Sequence, residues 1–302
     1  MKVEALKEIC NAFGPTGREK AVATIVSRRA SESGMDIEID ALGNVIALAG
    51  PEGPRNVFCT HMDQPGWMAE HVDKEGLLHI KPLPAKNHLG EGWAIDERAN
   101  LFRVFSQDKG TSLKAEPLNK DTGKMGCYLV PKPEFETSSD YLFSSVLTDR
   151  LFSELLLEVA EDIDFDSPVA FIFYTGRYIR ASGLLATLDG LDIGRCFVLE
   201  ALKASENTRV GSEPYMLLRS RQSIAPRSWV KKLTDFSEKI GIKLQKGVCP
   251  EHFSAADVLA RSGLPSLVLG IAVDNIGSRI EKASKKDFSD LKELIKKLAS
   301  GD

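Results

Sequence analysis

The chain has 302 residues, 43% of them hydrophobic and 27% charged, with a net charge of −4. That length predicts a large domain with a smaller companion, and the composition is that of a folded protein, not a disordered one. The slight acidity excludes a polyanion binder, which would carry a basic excess or stripe. The basic residues of 282–286 and the pair Lys296-Lys297 fall in an otherwise acidic helix pattern and read as a solvated face. No stretch approaches the roughly 20 apolar residues that cross a bilayer, and the charged start Met1-Lys2-Val3-Glu4 is not that of a secretory signal. Five scattered cysteines (10, 59, 127, 196, 249), never in a Cys-x-x-Cys pair, predict free thiols in a reducing cytoplasm, with no disulfide framework or structural zinc. Cys59 and Cys196 lie in apolar runs and read as core residues.

In chain order, a helix is expected from Val3 to Phe13, broken by Gly14-Pro15-Thr16-Gly17. Thr16 would cap a second helix from about Arg18 to Ser33, with Glu19 completing a capping box. Asp36 to Asp40 alternates as a strand, and the turn Leu42-Gly43-Asn44 leads to the strand Val45 to Ala49. The apolar run Asn56 to Thr60 reads as a buried central strand ending on His61. From about Gln64 to Ser144 apolar and polar residues alternate between Gly and Pro without a helical pattern, which predicts a small inserted β domain.

From Thr148 the helix–strand rhythm resumes. Helices are expected over Leu151 to Glu161, Gly183 to Leu188, Trp229 to Ile240, Ala255 to Arg261 and Asp287 to Leu298. Strands are expected over Pro168 to Tyr174, Arg195 to Glu200, Tyr215 to Leu218 and Ser266 to Ile271. Such alternation implies an α/β fold with a mainly parallel sheet sandwiched by helices, whose chemistry gathers at the carboxyl ends of the strands. His61, Thr175, Glu200 and Asp274 fall at such ends.

A histidine ending a strand two residues before an aspartate, as in Thr60-His61-Met62-Asp63, can bind a metal through one ring nitrogen while a carboxylate fixes the ring. Read alone, the same residues also suit a hydrogen-bonded structural histidine. No G-x-S-x-G elbow, phosphate-binding Gly-rich loop or dinucleotide fingerprint accompanies it.

Its surroundings resemble the M42 family of metallo-aminopeptidases. Residues 6–22 are similar to the family's opening helix and Gly-rich break, and Asp40-Ala41-Leu42-Gly43-Asn44 to its D-x-x-G-N turn. Thr60-His61-Met62-Asp63-Gln64-Pro65-Gly66-Trp67-Met68 is similar to A-H-M-D-E-x-G-F-M, and Thr148-Asp149-Arg150 to D-D-R or D-N-R. Gly211-Ser212-Glu213-Pro214 resembles G-x-G-P, and Ser262-Gly263-Leu264-Pro265 fits the segment before the last strand. The resemblance covers nearly the whole chain. It implies a zinc-peptidase-like α/β domain from 1–63 and 144–302, with 64–143 inserted as a small barrel-like dimerisation domain. Self-association is expected, as a dimer or something larger.

It further implies a two-metal site of zinc or cobalt, needing about five N or O ligands and a carboxylate base. Carried over by position, His61 matches the first histidine ligand and Asp63 the residue that orients it. The bridging aspartate falls on Thr148, and Asp149, pointing elsewhere as a chain neighbour must, is not expected to replace it. The paired glutamates fall in Tyr174-Thr175-Gly176-Arg177, which has no carboxylate and offers a cation instead. Glu200 matches an aspartate ligand, and Gly277 stands where the last histidine belongs. His61 and Glu200 alone are too few for a tight divalent site, so no resident cofactor is expected unless His252 and Cys249 supply substitutes. His71, His79 and His88 fall in the inserted segment, away from the site.

Two readings follow. In the first, the chain keeps the family's fold without its peptidase chemistry and binds a peptide or a small anion, or serves as a regulatory subunit. Thr148, Asp149, Arg177 and Arg180 would line the pocket, with Arg219 and Arg221 nearby. In the second, it is an active metal-dependent aminopeptidase with a rearranged metal site.

Overall fold

The strands Arg55–His61 and Val169–Tyr174 are apolar and buried almost throughout, as strands covered on both faces must be. They lie side by side in parallel, Val169 opposite Asn56 and Tyr174 opposite His61. The computed structural model describes residues 1–84, 89–106, 112–119, 122–181 and 183–301.

From edge to edge the main sheet runs Asp36–Ile39, Val45–Ala49, Val169–Tyr174, Arg55–His61, Ile193–Leu199, Leu267–Gly270, Tyr215–Arg219 and Gln245–Val248. Val169–Tyr174, Arg55–His61, Ile193–Leu199 and Leu267–Gly270 are mutually parallel, so their carboxyl ends form one edge. Helices cover both faces. Val3–Asn11, Lys20–Glu32, Leu147–Asp162 and Lys285–Ala299 pack on one side around Phe58, Phe152, Phe171 and Phe288. The short helices Leu184–Leu188 and Ala255–Arg261 pack on the other around Val57, Cys59, Ile172 and Leu259. The fold is therefore the expected α/β sandwich, with a mixed sheet.

Two further β structures flank it. The strands Gly66–Val72, Leu78–Leu83, Leu113–Pro117, Leu101–Ser106, Gly92–Ile95 and Tyr128–Pro131 close into a six-stranded barrel filled by Trp67, Phe102 and Leu129. Phe135–Thr137, Tyr141–Ser144, Glu281–Ser284, Ala272–Asp274 and Leu202–Lys203 make a five-stranded sheet. This second sheet was not anticipated, because its strands are too short to show periodicity and pair segments far apart in the chain. Asp274 belongs to it, where it pairs with Lys282, and not to the edge that carries His61. The His71 and His79 rings stack at 4.0 Å on the barrel, and His79 and Lys114 share Asp73. His88 lies outside the described residues.

Two helix starts differ from expectation. The second helix begins at Lys20, and Thr16 does not cap it, because its hydroxyl donates to Asp63 instead. The third begins at Leu147, four residues before the apolar pattern suggested, so Thr148, Asp149 and Arg150 form its first turn.

Candidate functional site

The site lies on the edge where the parallel strands end. Val198 is opposite Cys59, so Glu200 and His61 leave the sheet as neighbours, with Tyr174 on the other side of His61. A Cβ at Gly270 would lie 1.7 Å from the Glu200 carbonyl oxygen, so only glycine permits the adjacent strand to come this close. The Asp40 to Asn44 turn also serves this edge. Asp40 Oδ2 accepts from Asn44 Nδ2, and Asn44 Oδ1 accepts from the Thr175 amide at 2.7 Å.

His61 is 4% exposed, and its Nε2 lies 3.2 Å from Asp149 Oδ1. One residue along a helix turns a side chain by about 100°, so Asp149, in the first turn of the helix Leu147–Asp162, faces His61 from a direction different from that of Thr148. Asp149, expected as a pocket residue but not as a substitute for the bridging aspartate, is thus in contact with His61. The same oxygen accepts from the Tyr178 hydroxyl at 2.6 Å. Burial and the Asp149 charge hold the Tyr178 phenol well above its usual pKa, which keeps it a donor. With Nε2–H donating to the carboxylate, His61 Nδ1 is left as a buried atom without a hydrogen-bond partner.

Asp63 does not orient His61. Its carboxylate accepts from Thr16 Oγ1 at 2.7 Å and from the backbone amides of Arg177 and Tyr178 at 3.0 and 3.3 Å. It therefore fastens the single 3-10 turn Arg177–Ile179 to the His61 corner. Arg150, fully buried, binds the Ile9 carbonyl and Gln64 Oε1 behind the corner.

Beside this cluster stands a second one. Arg177 Nε is 3.6 Å from Glu200 Oε1, His252 Nε2 is 3.1 Å from Glu200 Oε2, and the Ala255 amide donates to Oε1 at 2.8 Å. Burial would raise the Glu200 carboxyl, but Arg177, His252 and the amide outweigh it and bring the group down to about 2. Arg177 Nη2 also donates to the Phe253 carbonyl, and its guanidinium lies over the Phe253 ring. Of the two suggested substitutes, His252 thus reaches Glu200, whereas the Cys249 thiol turns to Glu251. Arg180, Arg219 and Arg221 are exposed, so Arg177 alone of the four arginines is built into the site.

Sequence reasoning missed Glu281. It is 2% exposed, with Oε2 accepting from the Thr148 amide and Oε1 from the Gly277 amide, each at 2.8 Å. Burial, reinforced by the Asp149 charge, raises its carboxyl to about 8. Its partners stand at the positions of the bridging aspartate and the last histidine, which was the only available hint. Gly277 has φ +78°, a left-handed backbone that disfavours a histidine there. The Thr148 hydroxyl is buried beside the same carboxylate.

These residues do not fit a pair of metal ions. Among the described residues no group of three or more His, Cys, Asp or Glu side chains could hold one, and Arg177 holds a cationic place against Glu200.

A parallel-edged α/β sandwich carrying a six-stranded barrel, with an acid–histidine cluster at the strand ends, defines a peptidase-type fold. The chain belongs to the M42 glutamyl aminopeptidase family, whose model matches residues 115–294, more than half of the sequence. It is 22% identical to a lysyl aminopeptidase of Pyrococcus furiosus over 98% of this chain and 96% of that one. Its fold matches the Pyrococcus horikoshii TET1 peptidase, which can assemble into a tetrahedron or a large octahedral shell, with a TM-score of 0.88 at 20% identity over 98% of both chains. An aminopeptidase of Desulfurococcus kamchatkensis matches with a TM-score of 0.89 at 18% identity, over 99% of this chain and 94% of that one.

Proposed function

We propose that this M42 protein has given up metal-dependent peptide cleavage and uses its strand-end pocket for binding, as a non-catalytic partner or regulatory subunit. The observation that carries this reading is the Arg177–Glu200–His252 cluster. Glu200 is matched internally by two basic groups, so it is not poised to receive a dication. Because Arg177 already has Glu200 as counter-ion, the pocket has no surplus cation for a free anion, and a short peptide is the better occupant.

A second reading rests on one observation. His61 with Asp149, and Glu200 with His252, are two pairs of metal-competent side chains on one edge, and His61 keeps an unpartnered nitrogen. Rotation of Arg177 out of the site would leave a rearranged metal centre and an active aminopeptidase. Elemental analysis for zinc and cobalt, with aminoacyl-anilide hydrolysis before and after metal addition, tests both. Stoichiometric metal with metal-dependent turnover would overturn the first reading. No metal and no turnover, with retained peptide binding by calorimetry, supports it.

Self-association through residues 64–143, as a dimer or something larger, is part of the same proposal, and light scattering measures it directly. A reducing intracellular setting suits the five free cysteines. Among the described residues no helix is long and apolar enough to cross a membrane.

A further inference from the structure

At the opposite edge of the main sheet, where Ile193–Leu199 and Leu267–Gly270 begin, lies a groove of about 490 Å³. Its volume is that of an ordinary small-molecule site. Buried Phe197, Leu233, Leu267 and Leu298 form its floor, and half-buried Trp229 and Phe236, on the helix Arg227–Lys239, form a wall. The charged groups lining it are Arg195 and Lys232, with no acid among the lining residues.

Neither cation has an acidic partner among the described residues. Arg195 is nonetheless held in place. Its Nε donates to Asn56 Oδ1 at 2.9 Å, and Asn56 Nδ2 donates to the Leu298 carbonyl at 2.9 Å. The guanidinium is thus tied to the strand and to the last turn of the C-terminal helix, at the rim of an apolar cavity. A fixed donor beside an exposed lysine over an aromatic wall suits a ligand with an apolar body and a carboxylate head.

We propose that this groove is a binding site for an amphipathic monocarboxylate, a medium-chain acyl or aryl carboxylate, separate from the pocket at His61. The apolar body lies against Trp229, Phe236 and Leu267, and the carboxylate is held by Arg195 and Lys232. Floor and wall exclude water from the body, while the head stays at the open rim, where its charge is paired without full desolvation.

Decanoate, kept below its micellar concentration, and decanol are titrated into the intact protein by calorimetry, with tryptophan fluorescence followed in parallel. The expected result is saturable binding of one decanoate per chain, at least tenfold tighter than decanol, with a change in Trp229 emission that Trp229→Phe abolishes. Lys232→Glu with Arg195→Gln should weaken decanoate at least tenfold and leave decanol within about twofold. Circular dichroism checks that the variant folds, and Lys231→Glu on the same helix serves as the charge control. Equal affinity for decanol, no saturable binding, or an equal loss in the Lys231→Glu protein would overturn the proposal. So would self-association, seen by light scattering, that closes the groove to decanoate.

Discussion

Arg177 and Glu200 form a buried pair, Nε to Oε1 at 3.6 Å, with side chains 14% and 3% exposed. Removing one member of such a pair leaves the other uncompensated, which costs about 3 kcal/mol. Arg177→Ala should therefore destabilise the protein by about that much, read as a shift of the urea midpoint. Glu200→Gln should cost less, since an amide oxygen still accepts from Ala255. Equal and negligible losses would show that the pair does not close in solution.

Glu281 makes stability depend on pH in a direction unlike that of a salt-bridged acid. Its carboxyl is raised in the folded protein to about 8 from an ordinary value near 4.5, so between those two values the native state holds a proton that the unfolded chain has released. Stability contributed by this group is complete below about pH 4.5 and is lost as pH rises towards 8. Glu154, raised to about 7 by burial against the pull of Arg29, acts in the same sense. Glu200 acts oppositely, losing its contribution only as pH falls from about 4.5 towards 2. Urea midpoints should thus decline from pH 5 to 8, and Glu281→Gln should flatten part of that slope. An unchanged slope in the variant would exclude Glu281 as its source.

Asp63 is predicted to matter for stability and not for any ligand. Asp63→Ala leaves a threonine hydroxyl and two backbone amides unpaired in a buried setting, a loss of about 3 kcal/mol. Thr16→Val should cost about 1 kcal/mol and be strongly non-additive with Asp63→Ala. Thermal denaturation of the two single variants and the double variant measures this, and simple additivity would contradict the contact.

The non-catalytic reading predicts that metal binding can be built in. Thr148→Asp with Arg177→Glu supplies two carboxylates to the edge that holds His61 and Glu200, and zinc affinity by calorimetry should rise at least a hundredfold over the parent. Adding Gly277→His should help less than a third ligand usually does, because the left-handed backbone there costs about 1 kcal/mol. A parent protein that already binds zinc as tightly as the variant would favour the active-enzyme reading.

The layered fold was legible because buried strands such as Val169–Tyr174 are apolar throughout and sit between clear helical patterns. The His61 corner was legible too, as was the lack of a carboxylate at 174–177. What sequence could not supply was direction. Whether Asp63 or Asp149 faces His61 depends on where a helix begins, and its first turn, Leu147 to Arg150, carries no periodic signal of its own. Glu281 was invisible because one partner, Thr148, lies 133 residues away and both partners are backbone amides, which every residue but proline has. The 3-residue strand Ala272–Asp274 likewise has no pattern to read.

Asp63 holds three stretches of chain together: the turn at Thr16, the corner after His61, and the 3-10 turn at Arg177. That work continues whether or not a metal is ever bound. A His-x-Asp signature in this scaffold is therefore two messages written in adjacent letters. The aspartate reports that the pocket's frame is assembled, and only what faces the histidine reports what the frame contains.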